Sequence, residues 1–224
     1  MKYARLKFDK AIRIAILTSF TANGIKEVLF VKCCRIGLLP DIYICNYNQY
    51  AQEILDKNSG LYEFKPELII VMIDTMSILG EYYFLPYQST DDDRKRFIDS
   101  QLNSIVSLMN SLKANTNGII VLNNLMVPLY SPLGILENKQ PFGIIEAVEH
   151  MNKILRDTFR NDSQIFVFDY NSFSSKLGKQ GIMDFKMYYL GDMKIDFQHF
   201  PALAEEYLAY IKPLKSLNRK CLVL

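Results

Sequence analysis

Leu68-Ile69-Ile70-Val71-Met72-Ile73 is the segment that most narrows the folds open to this chain. Six apolar residues in a row, without polar alternation and too few for a buried helix, suit a strand covered on both faces. Such strands belong to parallel sheets with helices packed on either side. The rest of the chain supplies matching partners. Ile12–Leu17, Asp41–Cys45, Gly118–Leu122 and Gln164–Phe168 are short apolar runs. Between them lie segments of helical period.

Gly24–Arg35 carries Ile25, Val28 and Leu29 on one face, with Gly37 as its stop, and Tyr50–Lys57 is a short helix. Thr90-Asp91-Asp92-Asp93 places a capping hydroxyl and three acids where a helix dipole favours them. The stripe Phe97, Ile98, Leu102, Ile105, Met109 and Leu112 follows. A Pro-rich loop over Val127–Pro141 leads to a helix with Ile145, Val148, Ile154, Leu155 and Phe159 on one face. A last helix starts near Pro201, a favoured first-turn residue. The expected fold is a three-layer, doubly wound α/β domain around five parallel strands in the flavodoxin-like order.

Charge excludes some functions. Twenty-six Lys and Arg against 24 Asp and Glu leave a net charge of +2. With the signs interspersed, no basic surface for nucleic acid or an anionic membrane is expected. The N-terminus is charged throughout and has no apolar signal segment. The uncharged stretch Ala114–Leu136 holds four asparagines and two prolines, which disqualifies it as a membrane helix. Cys33, Cys34, Cys45 and Cys221 form no CxxC pair and have no histidine cluster beside them. Reduced thiols in a cytoplasmic protein are expected, with neither metal nor cofactor in this domain.

Ligands of doubly wound sheets sit beyond the carboxyl ends of the strands. The residues to read are therefore Thr18-Ser19-Phe20-Thr21, Asn46, Asp74-Thr75, Asn123-Asn124 and Asp169. Only two histidines exist. His150 falls within a helix and reads as a surface or half-buried residue. His199 lies in Asp196-Phe197-Gln198-His199, directly before the last helix. A carboxylate three residues upstream can hold one ring nitrogen and leave the other for a hydroxyl nucleophile. Ser19, after the first strand, supplies that hydroxyl, although the same residues also suit a plain turn and helix cap.

Ser19 and Asp196-Phe197-Gln198-His199 resemble the first and last blocks of the SGNH/GDSL hydrolases. The resemblance implies Ser19 as nucleophile, His199 as base and Asp196 as the residue that orients it. The chain departs from that family after the third strand, where Asp74-Thr75-Met76-Ser77 stands in place of Gly-x-Asn-Asp. A carboxylate repels a developing oxyanion, and one missing donor typically costs on the order of 10²–10³ in rate. Asn46 and Asn123 are the candidate substitutes as oxyanion or substrate-binding groups, each also a common strand-ending turn residue.

Three further segments narrow the resemblance to FkbH-like proteins. They are Leu61-Tyr62-Glu63-Phe64-Lys65-Pro66-Glu67-Leu68, Phe200-Pro201-Ala202-Leu203-Ala204 and Arg219-Lys220-Cys221-Leu222-Val223-Leu224. Such proteins join an SGNH-like domain to a HAD-type phosphatase domain. The resemblance implies an SGNH-like domain over residues 1–217, with 218–224 opening a phosphatase domain that lies beyond this sequence. One functional reading is a serine esterase or acyl transferase acting on an acyl or small ester substrate. Another is a non-catalytic domain presenting acyl substrates, or an acyl carrier protein, to the attached phosphatase. A third, a flavin-binding domain, rests on the loop Thr18–Gly24 as a phosphate cradle.

Overall fold

A computed structural model describes residues 8–217. The expected boundary at 218–224 falls outside them. The strands are β1 (Lys10–Thr18), β2 (Leu38–Ile44), β3 (Leu68–Met72), β4 (Ile119–Asn123) and β5 (Ile165–Phe168). All pair in parallel in the order β2-β1-β3-β4-β5, with Ile16 opposite both Ile44 and Ile70. This is the doubly wound order expected from the sequence. The chain leaves β1 to one side and returns on the other at β3, so β1 and β3 flank the switch point where ligands of such sheets bind.

Helices α1 (Ile25–Arg35), α2 (Tyr50–Leu55), α3 (Gly60–Phe64), α4 (Thr75–Leu79) and α5 (Glu81–Phe84) occupy the first half of the chain. They are followed by α6 (Asp91–Asn115), α7 (Ile144–Phe159), α8 (Tyr170–Leu177), α9 (Phe185–Leu190) and α10 (Phe200–Leu214). Every residue of β3 is buried, as its unbroken apolar run requires. Two cores result. One holds α6 and α7 against Ile69, Val71, Ile120 and Leu122. The other holds α1 and α10 against Ile12, Ile14, Ile16 and Ile70. Burying each such side chain contributes about 1.5–3 kcal/mol before entropy is charged against it.

Thr90 caps α6 through Asp93, and the helix buries Ile98, Leu102, Ile105, Met109 and Leu112. Phe97 is only partly covered, while Arg94 takes a buried place and bonds the carbonyls of Pro86, Ser89 and Pro141. In α7 the buried face is Ile144, Ala147, Val148, Met151, Leu155 and Phe159, with Ile145 and Ile154 on its margin. Gly24, at φ +97°, turns the chain into α1 in a conformation that glycine adopts without strain. No described helix is long and apolar enough to cross a membrane.

Candidate functional site

Ser19 follows the last residue of β1 and is 2% exposed. Its hydroxyl accepts the Asp74 backbone N–H at 2.9 Å and donates to the Ser77 hydroxyl at 3.3 Å. Its own N–H meets the carbonyl of Met72 at 3.1 Å, which stitches the ends of β1 and β3 together. Asp74 caps α4: its Oδ2 accepts the N–H groups of Met76 and Ser77 at 3.0 and 3.2 Å. Burial raises the Asp74 carboxyl above the ordinary range, against the opposing pull of Lys194 and the two cap bonds.

The expected triad members lie in other company. His199 Nε2 is 2.8 Å from the carbonyl oxygen of Gly181. Asp196 accepts the Gln198 N–H at 3.1 Å and the Gln198 side-chain amide at 2.9 Å, capping the turn Phe197–His199 that leads into α10. Among the described residues no side-chain hydrogen bond joins Ser19, Asp196 and His199. Asn46 is exposed, and its amide donates to Gln49 at 3.2 Å, as a turn residue does. Asn123 is 3% exposed and accepts from Tyr207 Oη at 3.0 Å. His150 is 3.8 Å from Asp99 on the helical surface, in keeping with its reading from sequence.

The residues that sequence reasoning missed stand just ahead of the Asp196 block. Lys194 is 9% exposed, ion-paired to Asp192 at 2.6 Å, with its ammonium 3.9 Å from the centre of the Tyr188 ring. Tyr47, after β2, donates to the other oxygen of Asp192 at 2.8 Å. The Thr21 N–H bonds the Asp192 carbonyl at 3.1 Å, which anchors this loop to the end of β1. A buried ammonium stays charged at small cost only with a partner, and Asp192 supplies it. Little in the sequence separates Lys194 from the many exposed lysines. A carboxylate two residues away was the one available signal.

Two cavities open at this sheet edge. A larger one of about 300 Å³ is lined by Asp74, Tyr83, Met126, Tyr130, Tyr188 and Tyr189 among others. A small one of about 20 Å³, room for a single water, lies between Asp74, Asn123, Tyr170 and Lys194. Asp74, Thr75 and Met126 border both. Asp74 lies close enough to raise the phenols of Tyr83 and Tyr188, whose burial is the larger cause. The edge is therefore apolar and aromatic, with one half-buried carboxylate and one neutralised ammonium.

A doubly wound domain with a serine closing its first strand has the fold of SGNH-type esterases, and solved structures bear this out. The N-terminal part of the Bacteroides fragilis protein BF1531, which contains a phosphatase domain and was solved with Mg, superposes with a TM-score of 0.81 at 16% identity. The match takes in 94% of this chain and 54% of that one, so this chain spans about half its length. The lipase Lip_vut3 from a goat rumen metagenome gives 0.62 at 12% identity, over 88% of this chain and 96% of that one. A catalytic mutant of Axe2, an acetylxylan esterase from Geobacillus stearothermophilus, gives 0.52 at 13% identity, over 92% and 96%. Among curated proteins, none matches this sequence. Residues 13–212 match the N-terminal domain of FkbH, and the chain belongs to that family.

Proposed function

We propose that this domain holds an acyl unit at the β1/β3 edge without hydrolysing it, and serves a phosphatase domain of the same protein. The observation that carries this reading is the bonding of the two groups a serine hydrolase needs. The Ser19 hydroxyl is engaged by Ser77 and the Asp74 N–H, and His199 Nε2 is engaged by the Gly181 carbonyl. With Nε2 held on a carbonyl, that ring nitrogen is not free in this arrangement to take the Ser19 proton. The Asp74 carboxylate opposes charge development beside Ser19, where a hydrolase places donors. A cytoplasmic acyl carrier protein is the delivery partner that suits such a domain. The BF1531 fragment supports the attached phosphatase, since it contains one.

The second reading keeps Ser19, His199 and Asp196 as an esterase triad, with Asn46 and Asn123 on the oxyanion side. The esterase and lipase folds and the position of Ser19 at the end of β1 favour it. Ester turnover and fluorophosphonate labelling distinguish the two, measured for wild type, Ser19→Ala and His199→Ala across about pH 5 to 9, which brackets imidazole titration. We expect no labelling and no turnover above background in any of the three. Robust turnover lost in both variants would establish the triad and overturn the ligand-holding reading.

A further inference from the structure

Asp74 is the one charged residue among those lining the larger cavity. Its Oδ2 is taken by the Met76 and Ser77 N–H groups, while no described donor bonds its Oδ1. Tyr83, Tyr130, Phe185, Tyr188 and Tyr189 supply the aromatic walls. Aromatic faces around a partly desolvated carboxylate attract an organic cation, through the ring quadrupoles and the charge together.

The nearby ammonium does not reverse this preference. Lys194 borders the small cavity and not the large one, and Asp192 and the Tyr188 ring already engage it. With Asp74 ionised, as an ammonium ligand favours, Asp74, Asp192 and Lys194 together leave one net negative charge. An anionic ligand would meet Asp74 without a counter-charge, and a purely apolar one would strip water from the carboxylate and return nothing. At about 300 Å³ the cavity lies at the small end of ligand sites, which suits a short acyl unit.

From this we infer the ligand class: an acyl unit bearing a free amino group, its ammonium seated on Asp74 between the tyrosine rings. The inference rests on the ligand-holding reading and adds the chemistry of what is held.

Calorimetric titration of the full chain near neutral pH, with three methyl esters, tests it. The probes are methyl ε-aminocaproate, its N-acetylated form, and methyl heptanoate, which carries a methyl group where the first carries ammonium. The amino ester should bind about tenfold more tightly than the other two, a difference of about 1.4 kcal/mol. Asp74→Asn should abolish that preference while keeping α4 capped, because asparagine caps as well as aspartate. Tyr130→Leu, at an exposed position on the cavity wall, should weaken the amino ester selectively. Equal binding of all three esters would overturn the amino-group inference and leave the ligand-holding reading standing. Hydrolysis of the esters, blocked by Ser19→Ala, would overturn the ligand-holding reading itself. No binding by any of the three would overturn the inference at this cavity.

Discussion

Asp74 and Asp169 do the same local work at the same sheet edge and end in opposite electrostatic states. Each follows a strand, β3 or β5, and each caps the next helix, α4 or α8. Asp169 accepts from the Asn124 amide at 2.9 Å, the Ser172 N–H at 3.0 Å and the Ser172 hydroxyl at 2.7 Å. Burial pushes its carboxyl up, but these donors outweigh burial and leave it below the ordinary range. Asp74 has two backbone donors and a more enclosed setting, so burial prevails and its carboxyl is raised. A capping carboxylate is thus a structural fixture where donors saturate it, and a group available to a ligand where they do not.

The largest expected effect that tests this contrast is on stability. Asp169→Ala removes the acceptor for three donors and frees Asn124, which itself accepts the Asn171 N–H at 2.9 Å. A loss of about 2 kcal/mol is expected, read as roughly 4–8 °C in melting temperature for a domain of this size. Asp74→Ala should cost less than half as much, because the lost cap is offset by removal of a poorly solvated charge. Equal losses in the two variants would break the contrast.

A smaller effect lies in the sign of the pH dependence. The Asp169 carboxyl is lowered, so its contribution is present above the ordinary carboxylate range and fades as pH falls through its depressed value. The Asp74 carboxyl is raised, so its contribution is complete in acid and fades as pH rises through its elevated value. Denaturant titrations of Asp169→Asn and Asp74→Asn from about pH 3 to 7, spanning the carboxylate range, should therefore give opposite slopes against wild type. Solvent screening at the exposed Asp169 keeps its part below about 1 kcal/mol. Slopes of the same sign would show that the donors on Asp169 do not outweigh its burial.

The smallest effect belongs to the corner away from these carboxylates. His199→Ala removes one bond to the Gly181 carbonyl and should cost about 0.5–1 kcal/mol, by thermal denaturation, without altering ligand binding in the aromatic cavity. A change in that binding would tie the His199 corner to the site.

The sheet could be read from the chain because its signal is local. The unbroken run at β3 and the helical stripe of α6 hold their meaning within a dozen residues, and both appear in the structure within a residue or two. The short helices α4 and α9 could not be read this way. Each spans only one to two turns, too few to establish a period, and each is held by a capping aspartate, Asp74 or Asp184. The site was legible in part. Ser19, Asp74 and Asn123 were marked by their place after strands, whereas Lys194 and Asp192 carried no such mark.

The sequence by itself determined the layer architecture, the parallel sheet and the edge at which ligands approach, because apolar periodicity and strand–helix alternation admit few packings. Only the tertiary structure decided which polar groups meet there. A three-residue spacing between Asp196 and His199 sets their distance along the chain, but not the carbonyl of Gly181 that the imidazole finds. Hydrogen-bond partners far apart in sequence are chosen by how helices and loops settle on the sheet. For that reason Lys194, and not His199, came to border the small cavity beside Asp74.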